Sequence, residues 1–256
     1  MPGFHAEWLA ERLGRFRRPP EALFLWTKHP AELVRPGPLR DAVRRVPNAF
    51  VQLTITGLGA GPLEPRAPAW EDALAEVPGL IGVVGGDARR VLWRFDPVIP
   101  GRSSRDVFVR LASRLGTLGV RRCTTSFLST MSLKGSLLPQ YAPFGLAPPG
   151  VAERVEWVAA LAASAGAAGM ELRLCCQPKV VERLGGIVRA ASCIDAELAT
   201  ALHPEGRAIV PARDRSQRRH CGCAPSLDVG DYRGHACRTG CAYCYSSAGG
   251  PGVRFS

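Results

Sequence analysis

Near the C-terminal end, the stretch CRTGCAYCY (237–245) places Cys237, Cys241 and Cys244 at C-x3-C-x2-C spacing, with Tyr243 just before the third cysteine. Three thiols this close together can share a metal centre, close a disulfide knot or build a zinc knuckle. Thiolates suit Zn2+, Cu+ and iron–sulfur clusters alike, so softness does not choose the metal. Spacing narrows the choice. A zinc ribbon carries two C-x2-C pairs, whereas here one C-x-C, Cys221 and Cys223, precedes the three-cysteine run. Three thiolates are one fewer than a closed four-ligand site needs. An iron of a [4Fe–4S] cluster that lacks a protein thiolate can bind a small molecule instead.

The chain has nine cysteines, an odd number. Cys176 and Cys193 fall at expected strand ends, and Cys221 and Cys223 lead into the tail. Together these four thiolates would close a second metal site, either a second [4Fe–4S] cluster or a structural zinc. The competing reading makes Cys176 and Cys193 small buried core residues. Cys123 and Cys175 read as core. His220, Asp228, Asp231 and His235 lie near the cysteines and read as loop or capping residues. Secreted disulfide frameworks belong to small chains with export signals. This sequence has 256 residues and opens with no basic stretch followed by an apolar one. Metal binding in a reducing, cytoplasmic setting is the expectation.

Composition bounds the rest. With 46% hydrophobic residues the chain can bury a core of its own. No apolar run approaches the roughly 20 residues of a membrane span, so no membrane partner is expected. The formal charge of +11 comes almost entirely from arginine, 30 against 3 lysines. A basic surface can attract nucleic acid, but these arginines are spread out and no basic patch is interleaved with aromatics. A solvated basic surface is the plainer reading, with nucleic acid kept as the weaker one.

These cysteines need elements to position them. ALFLWTK (22–28), AFVQLTITG (49–57), RVLWRFDPV (90–98), RRCTTSFLS (121–129), MELRLCC (170–176) and IVRAASCID (187–195) read as strands. Helical periodicity fills 4–16, 36–46, 67–85, 103–119, 151–169 and 195–203, with a Pro/Gly break inside 67–85 and Ser103 or Ser104 as an N-cap. Strand–helix alternation predicts an α/β fold of parallel βαβ units with right-handed crossovers. No Gly-rich phosphate loop follows a strand, so a full or partial TIM-like (β/α) barrel is favoured over a doubly wound nucleotide fold. In such folds active groups gather at the C-terminal strand ends. Those ends carry Thr27, Lys28, Thr54, Thr56, Arg94, Asp96, Ser126, Cys176, Cys193 and Asp195. Lys28, Arg94 and Asp96 are the candidates for cofactor binding, although each alone also reads as a solvated or rim residue. The expected organisation is a barrel-like domain over 1–203 and a linker with a cysteine-rich segment over 204–256, packing on the barrel mouth. Residues 130–150, with four prolines, read as a lid or a tolerated insertion.

The C-x3-C-x2-C run with an aromatic before its last cysteine resembles the cluster motif of the radical S-adenosylmethionine enzymes. The resemblance implies three irons held by Cys237, Cys241 and Cys244, and a fourth that chelates S-adenosylmethionine. It also implies reductive cleavage to a 5′-deoxyadenosyl radical, with an electron donor such as flavodoxin or ferredoxin. In that superfamily the motif follows the first barrel strand, whereas here it stands at the tail. LWTKHP, QLTITG, LWRFDPV, SCID, CGCAPSLDVGDY and CRTGCAYCY, in that order, look like the bacterial family called domain of unknown function 1848. The likeness runs from about residue 4 to 246. Its C-terminal cysteines are regarded as similar to the radical S-adenosylmethionine motif, with no reaction or substrate attached. Relatives usually begin with one more strand, so the first strand is expected to be missing here, leaving an exposed sheet edge. Two alternatives stay open: a non-catalytic protein whose tail holds zinc or a cluster only to pin the chain, and a protein that binds or acts on nucleic acid.

Overall fold

The computed structural model describes residues 2–128, 139–231 and 234–244. Six strands form one parallel sheet in the order of the sequence. They are β1 (Leu23–Thr27), β2 (Ala49–Thr54), β3 (Val91–Val98), β4 (Arg122–Phe127), β5 (Glu171–Leu174) and β6 (Arg189–Ala190). Helix α1 (Ala6–Gly14) precedes the sheet. Helices α2 (Ala31–Val34) and α3 (Pro38–Arg44) cross from β1 to β2. Then α4 (Trp70–Ala75) and α5 (Val77–Val83) lead to β3, α6 (Arg105–Thr117) to β4, α7 (Val151–Ala167) to β5 and α8 (Pro178–Arg183) to β6. Helix α9 (Ala196–Ala201) closes the series. The strand order never reverses, which is the winding of a barrel wall rather than of a doubly wound sheet. The sheet stays open: each strand pairs with its sequence neighbours, and β1 and β6 are its edges.

Strand alternation sorts the side chains. Leu25, Val51, Trp93, Cys123 and Leu172 point to the helix side and join one core with Leu39, Leu80, Phe108, Leu111 and Leu161. The centre of that core is aromatic: Trp93 stacks on Phe108 at 4.8 Å, and its indole N–H donates to the Ile55 carbonyl at 3.0 Å. Cys123 is fully buried there, and burial pushes its thiol well up from its ordinary range. That is the core role expected for it.

The opposite, inner face is polar at its centre. Trp26, Gln52, Arg94, Thr124 and Arg173 lie along it. Near the strand N-termini it is covered by α9, through Phe24, Phe50, Leu198, Ala199 and Leu202. Asn48 fixes the cover by donating to the Ala199 carbonyl at 3.1 Å, and Arg90 donates to Asn48 at 2.8 Å and to the Leu202 carbonyl. Asp195 caps α9, accepting from the Leu198 N–H at 2.9 Å. It also receives Arg122 and Arg173 from the inner face at 2.7 and 3.0 Å.

Two local expectations become definite and one changes. The 67–85 segment splits into α4 and α5 at Glu76, because Pro78 sits in the first turn of the second helix and cannot continue the first. Ser104, not Ser103, caps α6, accepting from the Val107 N–H at 3.2 Å. The strand expected over 187–195 shrinks to β6, two exposed residues. Beyond it the backbone finds other partners: the Cys193 and Ile194 N–H groups point at the Cys223 sulfur, and the Ile194 carbonyl accepts from Ala224. Of the 130–150 stretch, 130–138 lie outside the described residues. Past them, Tyr141 is buried in a second, smaller core with Leu63, Ile99, Leu128, Leu146 and Tyr243. Among the described residues no helix is long and apolar enough to cross a membrane.

Candidate metal centres at the strand ends

The described residues of the 204–244 segment form no helix or strand, yet the segment is fastened at both of its cysteine groups. The loop 236–244 lies beyond the C-terminal ends of β1 and β2. The Ala242 N–H donates to the Leu63 carbonyl at 3.0 Å, and Arg66 donates to the Arg238 carbonyl at 3.0 Å. His5 donates to the Ala236 carbonyl at 3.0 Å, and Trp8 stacks on His235 at 4.1 Å. His29, just after β1, lies 3.1 Å from the Thr239 hydroxyl, and Tyr141 donates to the Tyr243 carbonyl at 3.2 Å. Gly240 has φ +73, a left-handed turn that glycine adopts without strain. It brings Cys241 back into the smaller core, while Cys237 and Cys244 stay half-buried. Burial pushes the Cys241 thiol up to about 11, with Lys28 pulling the other way.

Beneath the loop lies a residue that the strand-end reading passed over. Glu64, 2% exposed, takes the Lys28 ammonium at 3.0 Å, the Thr56 hydroxyl at 2.5 Å and the Tyr243 hydroxyl. Burial, and then the Glu64 charge, hold the Tyr243 phenol well above its ordinary range, so it stays a donor. Lys28 also lies 5.7 Å over the Tyr243 ring. Lys28, a sequence candidate for cofactor binding, is thus the counter-ion of the carboxylate that holds the loop. Glu64 sits in a Gly- and Pro-rich loop with no periodicity to mark it.

The other cysteine group lies on the inner face at the opposite edge of the sheet. Cys175, Cys193, Cys221 and Cys223 are buried together, with Cys176 and Trp26 packed against them. Cys175, expected in the core, belongs here. Leu172 and Leu174 face the helices, so period two already sends Cys175 to the inner face. Cys176 should then point away, but its φ of +52 turns it back. That conformation is uncommon for a residue with a side chain and clusters at functional sites. The Cys175 thiol donates to Cys176 at 3.9 Å, and Arg218 lies 3.7 Å from the Cys175 sulfur.

Arg94 and Asp96 link this group to the strand ends. Arg94 donates to the Cys193 sulfur at 3.0 Å and to Asp96, which in turn accepts from the Ser126 hydroxyl. Two of the three expected cofactor residues, Arg94 and Asp96, therefore meet on the inner face beside the thiols. His220, Asp228, Asp231 and His235 were expected as loop or capping residues. Asp231 accepts from the Gly234 N–H and the His235 ring, and Asp228 from the Gly230 N–H. As placed, no three His, Cys, Asp or Glu side chains among the described residues surround a common metal position.

One family model matches, that of the "Domain of unknown function (DUF1848)", over residues 17–246. No curated protein and no solved structure matches the chain.

Proposed function

The chain belongs to the DUF1848 family, and from that premise we propose an iron–sulfur protein of the radical S-adenosylmethionine type, with Cys237, Cys241 and Cys244 as the cluster ligands. The observation that supports this reading is the docking of the 236–244 loop. A three-thiol loop far along the chain lies against the C-terminal ends of the first strands, where (β/α) folds keep their chemistry. The donor set fits the group: three thiolates at short spacing suit a cluster that leaves one iron to a small molecule. When bound and reduced, such a cluster supplies one electron to the sulfonium of S-adenosylmethionine.

The chain's own residues do the positioning. Glu64 and Lys28 anchor Tyr243 between two of the ligands. Tyr141 and Leu63 hold the backbone of the same turn and bury Cys241. Arg94, Asp96 and Ser126 present a guanidinium, a carboxylate and a hydroxyl on the inner face. We assign Arg94 and Asp96 to S-adenosylmethionine or to the substrate, whose identity stays open.

Iron and acid-labile sulfide analysis of anaerobically purified protein, wild type beside Cys241→Ala, tests this reading. The wild type is expected to hold about four irons and four sulfides per tail site and to cleave S-adenosylmethionine under a strong reductant. Cys241→Ala is expected to do neither. Wild-type protein without iron would overturn the reading. An iron-loaded protein that leaves S-adenosylmethionine intact would select the non-catalytic alternative.

A further inference from the structure

The five inner-face thiols form a ring. Cys175, Cys193, Cys221 and Cys223 are buried in one cluster with Cys176 packed against them, and the Cys175 and Cys176 sulfurs lie 3.9 Å apart. Such a ring draws on three separate stretches of chain: the end of β5, the segment after β6, and residues 221–223 of the tail. Reduced thiols gain little from one another, and this many together are rarely left without a partner.

The members differ in role. Cys223 already accepts two backbone N–H groups at its sulfur, from Cys193 at 3.2 Å and Ile194 at 3.4 Å. Cys193 accepts from the Arg94 guanidinium at 3.0 Å. Donors aimed at sulfur are what a metal thiolate needs around it. Cys175 is the opposite: its S–H donates to Cys176 at 3.9 Å. So Cys175 supports, and four thiols remain to ligate.

We propose that Cys176, Cys193, Cys221 and Cys223 form a mononuclear tetrathiolate zinc site, with the Cys175 thiol as a hydrogen-bond donor to the Cys176 ligand. Compactness favours one metal ion over a cube of four irons. Metal–sulfur bonds of about 2.3 Å in a tetrahedron put the sulfurs roughly 3.8 Å apart, which is the spacing of thiols in contact. A cluster would have to spread the same ring. Metal entry would turn the sulfurs from each other toward a shared centre, with release of their protons. The site would tie the tail to the ends of β5 and β6, and so shorten the free chain leading to the 236–244 loop. This inference shares with the iron reading Arg94, whose guanidinium reaches Cys193 through one nitrogen and Asp96 through the other, but it concerns other cysteines and another metal, so either can fail alone.

The test uses the full chain, prepared anaerobically, with zinc and iron measured separately. One zinc per chain with four sulfur neighbours at about 2.3 Å by X-ray absorption is expected. The Cys221→Ser/Cys223→Ser variant is expected to lose the zinc and to keep whatever iron the wild type holds. Cys175→Ala is expected to bind zinc about 10–100-fold more weakly without losing the site. Should the double variant fail to fold, cobalt loaded into the wild type must show the intense visible bands of a tetrahedral thiolate site. Absence of zinc and of those cobalt bands, a disulfide within the ring, or zinc that persists in the double variant would each overturn the proposal.

Discussion

Replacing Asp195 with Ala is expected to lower the stability of the fold by roughly 3–5 kcal/mol, read as a fall in the denaturant midpoint at unchanged slope. Three things meet on this one carboxylate. It is 4% exposed, it caps α9 through the Leu198 N–H, and it receives both Arg122 and Arg173. Those two guanidinium groups are themselves mostly covered, at 18% and 14% side-chain exposure. Removing it leaves both cations to Glu171, at 3.6 and 2.9 Å and itself partly exposed, against the underside of the cover, still a larger cost than the loss of a surface ion pair. Asp195→Asn separates the contributions. It keeps a capping oxygen, worth about 1 kcal/mol, and removes the charge, so it should recover only a small part of the loss. A drop below about 1 kcal/mol in Asp195→Ala, the cap's worth alone, would mean that Glu171 and solvent satisfy the arginines and that Asp195 is not their main counter-ion.

Glu64→Leu is expected to cost a similar roughly 3–5 kcal/mol, with the damage concentrated at the cysteine loop. The Lys28 side chain is 12% exposed and its carboxylate partner 2%, so the substitution strands a buried ammonium. The Thr56 and Tyr243 hydroxyls lose their acceptor in the same step. Limited proteolysis should then cut the tail faster, and iron retained at the tail should fall below wild type. Lys28→Met/Glu64→Leu removes both charges and should regain most of the stability, as paired replacements of buried ions do. If the double variant is no more stable than Glu64→Leu, the ion pair is not the source of the cost.

The alternation of strands and helices was legible because each element is a local pattern. Apolar residues recur every second position in strands and every three to four in helices, and Leu25, Val51 and Trp93 lie on the helix side as that period requires. Sheet closure was not legible, since it depends on whether the two edges meet, and β1 and β6 do not pair. The end of the sixth strand was misplaced for a related reason. SCID has strand character, but the backbone at Cys193 and Ile194 is claimed by Cys223 and Ala224, some 30 positions on.

The cysteine sites divide along the same line. The sequence alone determined that Cys237, Cys241 and Cys244 share one short loop, because covalent spacing keeps them together whatever the fold. It determined too that Arg94 and Asp96 share one face of a strand, two positions apart. Only the tertiary structure decided that Glu64 lies under Tyr243, 179 positions away. Only it could turn Cys176 back beside Cys175 through one left-handed residue. Only it brought Cys221 and Cys223 to the ends of β5 and β6. A buried carboxylate and a ring of thiols are set by which loops meet above the sheet, and no local period records that.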